Sequence, residues 1–355
     1  MSLRASFSKQ VFKFNFNART SRGLMPDKTS WFICIWDQKQ PEVVGMGECG
    51  PLPGLSVDDI PNLDHVIANT AGQISTIEES AFEGDFVDRV VAPNYPALRF
   101  AVETAVLDFK HGGVRKIFDN GFYTGTPIPI NGLIWMAEED DMIRQIDSKL
   151  ADGFTCIKLK VGGLDFGREC EVIRYIRSRY SEEGITIRLD ANGAFGDNAM
   201  ARLQQLAEFD IHSIEQPVPP GHHHMAKICR LSPIPVALDE ELIGKESTAE
   251  KVELLARLQP QYIILKPTLH GGFSGCTEWI KVAESLGIGW WITSALESNI
   301  GLNAICQFTA GYNVSVPQGL GTGQLYHNNV PSPLVIKGGN IIWDHRGKWD
   351  VSSVR

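Results

Sequence analysis

Cys156-Ile157-Lys158-Leu159-Lys160 and, further along, Ile185-Thr186-Ile187-Arg188-Leu189-Asp190 read as two strands of one kind. Each is a short β-branched run that closes on an ionisable residue. Similar runs follow at Ile211 to Glu215, Ile234 to Asp239, Tyr262 to Lys266 and Ile288 to Ile292, with an earlier one at Ile128-Pro129-Ile130 and a weaker one at Asn313 to Val316. The stretches between them have helical spacing, as in Cys170 to Ile176 and Ala201 to Ala207. Strand alternating with helix means βα units and a parallel sheet. The terminal residues recur at 160, 190, 215, 239 and 266, steps of 30, 25, 24 and 27. About eight such units predict an α/β fold of the TIM-type (β/α) barrel class over residues 127–330. An open doubly wound sheet would carry a Gly-rich dinucleotide turn after its first strand, and none is present.

The first 126 residues differ in pattern. Trp31 to Trp36 and Val43 to Gly47 read as antiparallel strands, and Ala97 to Lys110 as a helix. This predicts an α+β capping domain over 1–126. Residues 331–355 carry a hairpin, Leu334 to Trp343, turning on Gly338-Gly339 and expected to return to the cap.

Composition narrows the function. The chain has 355 residues, 42 acids against 33 Lys and Arg, and a net charge of −9. No basic cluster suits a nucleic-acid backbone. No apolar run approaches the ~20 residues of a membrane span. Seven Cys stand singly with no CxxC, which predicts a reduced, cytoplasmic protein without disulfides.

The chemistry sits at the strand ends, where such barrels keep their active sites. Asp190, Glu215 and Asp239 come from adjacent strands. Three carboxylates that close repel unless a cation lies between them, and an all-oxygen set suits Mg²⁺, with Mn²⁺ as a substitute. Lys160 and Lys266 come from strands four apart in an eight-stranded closure, so they face each other across that cation. This is an arrangement for taking a proton from carbon while positive charge gathers the developing enolate. Lys158 and Lys160 share a face. Their mutual repulsion and burial are expected to leave one of them, assigned as Lys160, neutral enough to act as base, with Lys158 supporting. Arg188 should point inward beside them.

Other polar features read less sharply. Asp190-Ala191-Asn192-Gly193 also suits a turn, and Glu240 and Glu241 fit either a supporting or a solvated role. His222-His223-His224 are expected to form a solvated loop, because consecutive residues seldom converge on one ion. Trp290-Trp291 are expected in the core. Gly319-Leu320-Gly321-Thr322-Gly323 suits an anion cradle or a closing loop.

The set KLK, LDANGAF, IEQP, LDEEL and LKP, in this order and spacing, resembles the enolase superfamily in its muconate-lactonising subgroup. A lysine or histidine base working with Mg²⁺ is that superfamily's known pattern. Gly47 to Ser56, Ser294 to Gly301 and Gly319 to Tyr326 look like the corresponding regions of its o-succinylbenzoate synthase branch. The resemblance implies Asp190, Glu215 and Asp239 as Mg²⁺ ligands, Lys160 as base and Lys266 as electrostatic partner. It implies that Ser294 with nearby amides holds a substrate carboxylate. The loop Pro51 to Ser56, including Gly54 and Ser56, would close over the succinyl arm; Arg188 and Asn192 complete the expected substrate contacts. The implied reaction is Mg²⁺-dependent syn-dehydration of 2-succinyl-6-hydroxy-2,4-cyclohexadiene-1-carboxylate to o-succinylbenzoate, in menaquinone biosynthesis.

Within the superfamily, a histidine base is absent between Trp290 and Ser298, and no acid lies between Asn313 and His327 to hold a substrate ammonium. N-succinyl amino-acid racemisation, using both lysines, is the rival activity. A scaffold that has lost catalysis would be expected to have lost some of these five residues. The partner implied is a small carboxylate, not a nucleic acid or a membrane.

Overall fold

We describe a computed structural model of the chain, covering residues 3–20, 23–77 and 84–355. The cap opens with three antiparallel strands in the order β1-β2-β3: β1 (Leu3–Thr20), β2 (Gly23–Asp37) and β3 (Gln40–Cys49). The sequence reading placed two of these and omitted β1, although Phe12 and Phe14 alternate inward along it. Helices α1 (Leu63–Ile74), α2 (Phe86–Val90) and α3 (Pro96–Lys110) pack on this sheet.

Helix α3 sits directly on β3 because β3 has no side chain at the crossing. A Cβ on Gly47 would lie 1.9 Å from the Ala101 carbonyl oxygen, and one on Gly45 2.1 Å from that of Ala105. The buried face of α3 also reaches the barrel through Phe100, which meets Phe273 edge-on. The cap is thereby held close to the barrel rim.

A seven-stranded parallel sheet follows. Two residues, β4 (Ile128–Pro129), precede it. Its strands and helices are β5 (Gly132–Ile134), α4 (Glu139–Ala151), β6 (Cys156–Lys160), α5 (Phe166–Arg177), β7 (Thr186–Asp190), α6 (Ala199–Leu206), β8 (Ser213–Glu215), α7 (Met225–Leu231), β9 (Val236–Leu238), α8 (Thr248–Leu258), β10 (Tyr262–Leu265), α9 (Gly272–Ser285), β11 (Gly289–Ile292) and α10 (Asn299–Thr309). The strands pair in sequence order from β5 to β11. Single parallel bridges, Ile130 with Gln318 and Gly319 with Thr293, close the ring. The apolar residues of strands and helices form one continuous core, including Ile157, Leu189, Ile214 and Leu265.

Two expected strands are corrected. Ile128-Pro129 pairs antiparallel with the C-terminal hairpin, so the first barrel strand lies four residues later. Asn313 to Val316 is irregular; Pro317 has no N–H to give a ladder, and Gln318-Gly319 occupy the closing position. The hairpin, β12 (Leu334–Lys337) and β13 (Asn340–Trp343), turns on Gly338 and Gly339 with φ of 57° and 69°. It pairs with β4 and not with the cap sheet, because Ile341 stacks against Ile128 at the barrel edge. The chain beyond it reaches the cap, where Ser8 Oγ donates to the Val354 carbonyl.

All seven cysteines are free and buried. Among the described residues no helix is long and apolar enough to cross a membrane.

Candidate active site

Strand register brings the predicted residues to one rim. Lys160 lies opposite Asp190, and Asp190 opposite Glu215. Asp239 and Lys266 stand one residue past β9 and β10. All are buried, the most exposed being Lys160 at 9%. Lys158, Lys160, Asp190, Asn192 and Lys266 line a cavity of about 1600 Å³, roofed by Leu52 to Leu55 of the cap. Strands β6 and β10 are four apart in the sheet order, so the two rim lysines enter from opposite sides of the carboxylates.

The charges interlock. Lys158 Nζ lies 2.6 Å from Glu215 Oε2 and 3.0 Å from Asp190 Oδ2. Lys160 Nζ donates to Asp190 Oδ2 at 3.0 Å and to Asn192 Oδ1 at 2.8 Å. Lys266 is paired with Asp239. Burial works against the Lys158 ammonium, but Asp190 and Glu215 outweigh it and hold its pKa above the usual lysine value. The sequence reading gives Lys158 the supporting charge, and the facing carboxylates favour its ammonium form. Burial likewise disfavours charge on Asp190 and Asp239, yet the lysines hold both carboxyls below their ordinary range. Glu215 goes the other way. Burial, then the nearby Asp190, raises its carboxyl to about 8.

This set fits a divalent cation. Glu215 Oε1 and Asp239 Oδ1 are buried and have no hydrogen-bond partner. Each is an acceptor in a dry site, which costs free energy unless a cation or donor reaches it. Two carboxylates with free oxygens, beside Asp190 on the adjacent strand, suit a hard ion.

The remaining predicted contacts divide. Asn192, at φ 42°, faces the cavity, binds Lys160 and donates to Glu240 Oε1 at 3.0 Å. Ser294 and Gly54 also line it. The amide beside Ser294 is occupied, since Ala295 N–H donates to Glu297 Oε2 at 2.7 Å. Ser56 is turned inward within its own loop, where Oγ accepts from Leu52 N–H at 2.7 Å. Arg188 is corrected as a substrate contact. In register with Lys158 and Ser213, it lies a layer below the rim, with its guanidinium 4.0 Å from the Trp291 ring and donating to the Pro317 carbonyl at 2.7 Å. It plugs the barrel. Trp291 is buried beneath it, as expected for core. Glu241 accepts from Gly221 N–H, and His223 and His224 are exposed on the loop that begins there.

Several residues with a part in the site have no role assigned from the sequence. Gln216 Oε1 accepts from both Asp239 N–H and Glu241 N–H, at 3.1 and 3.2 Å, tying the loop after β8 to the start of the next. His270 Nδ1 accepts from Lys266 N–H at 3.0 Å; burial keeps this imidazole neutral, its pKa pushed down to about 3, so it remains an acceptor there. Glu48 of the cap accepts from four donors, two on each carboxylate oxygen. Gln216 stands in the quoted IEQP motif, and its position beside a metal-ligand candidate was the signal for it. Glu48 lies in the quoted Gly47 to Ser56 stretch, but its role, like that of His270, rests on partners distant in sequence or belonging to the backbone.

A family model described as enolase C-terminal domain-like matches residues 141–346. The chain is 42% identical to the o-succinylbenzoate synthase of Desulfotalea psychrophila (strain LSv54) over 95% of its own length and 98% of that protein's. The crystal structure of MenC from Desulfotalea psychrophila LSv54 is similar at 40% identity and a TM-score of 0.86, covering 96% of this chain and 99% of that one. A dipeptide epimerase from Enterococcus faecalis V583, solved with Mg and the dipeptide L-Leu-L-Tyr, shares the fold. Its TM-score is 0.83 at 19% identity, over 96% of this chain and 97% of that one.

Proposed function

The chain belongs to the enolase C-terminal domain-like family, and from that premise we propose that it catalyses the o-succinylbenzoate synthase reaction, a Mg²⁺-dependent dehydration serving menaquinone synthesis. The near-full-length likeness to the Desulfotalea enzyme carries this reading. The site residues supply its chemistry.

In this reading Asp190, Glu215 and Asp239 hold the metal, through oxygens that include Glu215 Oε1 and Asp239 Oδ1. A divalent cation there supplies the Lewis-acid charge that makes a proton α to a carboxylate removable. Lys160, as a free amine, takes that proton. The C–H electron pair becomes a ring double bond as the C–O bond of the hydroxyl breaks. The new Lys160 ammonium is held 3.0 Å from Asp190 and 2.8 Å from Asn192. It returns its proton to the departing hydroxide, so water leaves and the amine is restored. One lysine on one face suffices for both transfers, which is what a syn elimination requires. Aromatisation draws the reaction forward. Lys266 contributes cationic charge on the opposite rim, and Lys158 stays an ammonium that holds Asp190 and Glu215 in place.

Purified protein stripped with EDTA should lose dehydration of the cyclohexadiene substrate and regain it on adding Mg²⁺, followed by the absorbance change on aromatisation. Undiminished turnover after removal of all divalent metal would refute the assignment.

A second reading rests on the opposed lysines. Lys160 and Lys266 both line the cavity from strands on either side of the carboxylates, as a two-base racemisation of an N-succinyl amino acid needs. If the chain has this second activity, incubation in D₂O places deuterium at the α-carbon of N-succinyl amino acids, read by proton NMR. No exchange with enzyme that is active in dehydration eliminates it.

A further inference from the structure

Outside the barrel mouth, the structure gathers a second set of metal-binding side chains. Asp197, His223 and His224 each present one donor atom, and these atoms lie within 4.8 Å of one another. The three come from two different loops, those following β7 and β8. A fourth donor is adjacent, since His222 Nε2 lies 3.3 Å from Asp197 Oδ1. The imidazoles already lie together: His222 and His223 are stacked with ring centroids 4.6 Å apart, and His223 and His224 are tilted by 48° with centroids 3.9 Å apart.

The backbone under these groups is held at both ends. Gly221 N–H donates at 3.1 Å to each oxygen of the buried Glu241, and Met225, after the last histidine, is buried in the core. Asp197 lies in a single 3₁₀ turn between buried Phe195 and Ala199. Only the side chains need to move. Bonds of about 2.1 Å in a tetrahedral shell set donors about 3.4 Å apart, a closure that rotations of exposed side chains can make.

We propose that Asp197, His223 and His224, with His222 alongside, form a binding site for a borderline divalent ion such as Zn²⁺, distinct from the carboxylate site of the barrel. Imidazole nitrogens select Zn²⁺, Co²⁺ or Ni²⁺ over Mg²⁺, which prefers oxygen ligands. Bound metal joins the loop after β7 to the loop after β8. The first of these loops carries Asn192, which holds Lys160.

Titrating ZnCl₂ calorimetrically into full-length protein tests this, with Mg²⁺ in large excess so that the barrel carboxylates are occupied by Mg²⁺. The expected result is one saturable Zn²⁺ per chain at pH 7.5, weakening as the solution is made acidic because metal binding requires deprotonated ligands. The double variant His223→Ala/His224→Ala should bind at least about tenfold more weakly, and Asp197→Asn should also bind more weakly. Asp190→Asn, which alters only the barrel set, should leave this binding unchanged. No saturable binding in excess Mg²⁺ overturns the proposal, as does binding that the double variant leaves intact or that Asp190→Asn removes. All three ligands are exposed, so unchanged circular dichroism of the double variant is expected and would separate loss of the site from loss of the fold.

Discussion

Lys160→Ala is expected to lower kcat by about 10³-fold, within the 10²–10⁴ range of a positioned acid–base group, while the melting temperature stays close to that of the unaltered chain. The fold should tolerate the change because the carboxylate left behind is not orphaned. Asp190 keeps Lys158 at 3.0 Å, and Asn192 keeps its bond to Glu240. Lys160→Arg separates base from charge. It retains a cation beside Asp190, but a guanidinium does not deprotonate at working pH and cannot accept the proton. Both variants should therefore be slow, and alike. Steady-state turnover with saturating substrate, alongside thermal unfolding, measures this. An arginine variant within tenfold of the original enzyme would mean that Lys160 acts by charge alone and that the base lies elsewhere, with Lys266 the next group to test.

The barrel was legible because its signal is local and repeated. Each of the runs ending at Lys160, Asp190, Glu215, Asp239 and Lys266 carries its chemistry in the last residue or just beyond, and parallel register does the rest. Legibility failed where position depends on partners remote in sequence. Ile128-Pro129-Ile130 has strand composition, yet its neighbour in space is Ile341, and nothing local distinguishes that pairing from the barrel's. Arg188 follows the inward alternation correctly. Its depth, two residues below Asp190 and over Trp291, depends on where β11 lies. The histidine run was read as solvated because adjacent residues rarely converge. The structure leaves it exposed but supplies the missing donor, Asp197, from another loop. Strand β1 was missed for a different reason. Its buried Phe12, Phe14 and Ala18 alternate with the exposed Val11, Lys13, Asn15 and Asn17, so it has no continuous apolar run of the kind that marks β2.

Glu48→Ala is expected to destabilise the protein by about 3 kcal/mol or more and to raise KM for the substrate. Glu48 is a fully buried cap residue next to Gly47, where α3 seats on β3. Its Oε1 accepts from Ser30 Oγ at 2.7 Å and Ser298 N–H at 2.9 Å. Its Oε2 accepts from Ser298 Oγ at 2.6 Å and Gly301 N–H at 3.0 Å. Two of these donors are backbone groups at the start of α10, so a cap carboxylate faces the positive end of a barrel helix. Lys28, also fully buried, donates to Ser30 Oγ at 3.4 Å. Alanine leaves these donors unpaired in a dry interface and strips a nearby anion from a buried ammonium, the circumstance in which loss of one partner is most damaging. At roughly 2–4 °C per kcal/mol for a large domain, the melting temperature should fall by about 6–12 °C. The effect on KM follows from connectivity. Ser298 ends the segment whose Ser294, Ala295 and Leu296 line the cavity, so losing its anchor loosens that wall without touching Lys160. Glu48→Gln retains one acceptor oxygen but turns an amide N–H₂ toward donors, and should fall between. Differential scanning calorimetry and substrate titration measure both effects. A Glu48→Ala protein that melts like the original would show that the cap is held to the barrel by apolar packing alone.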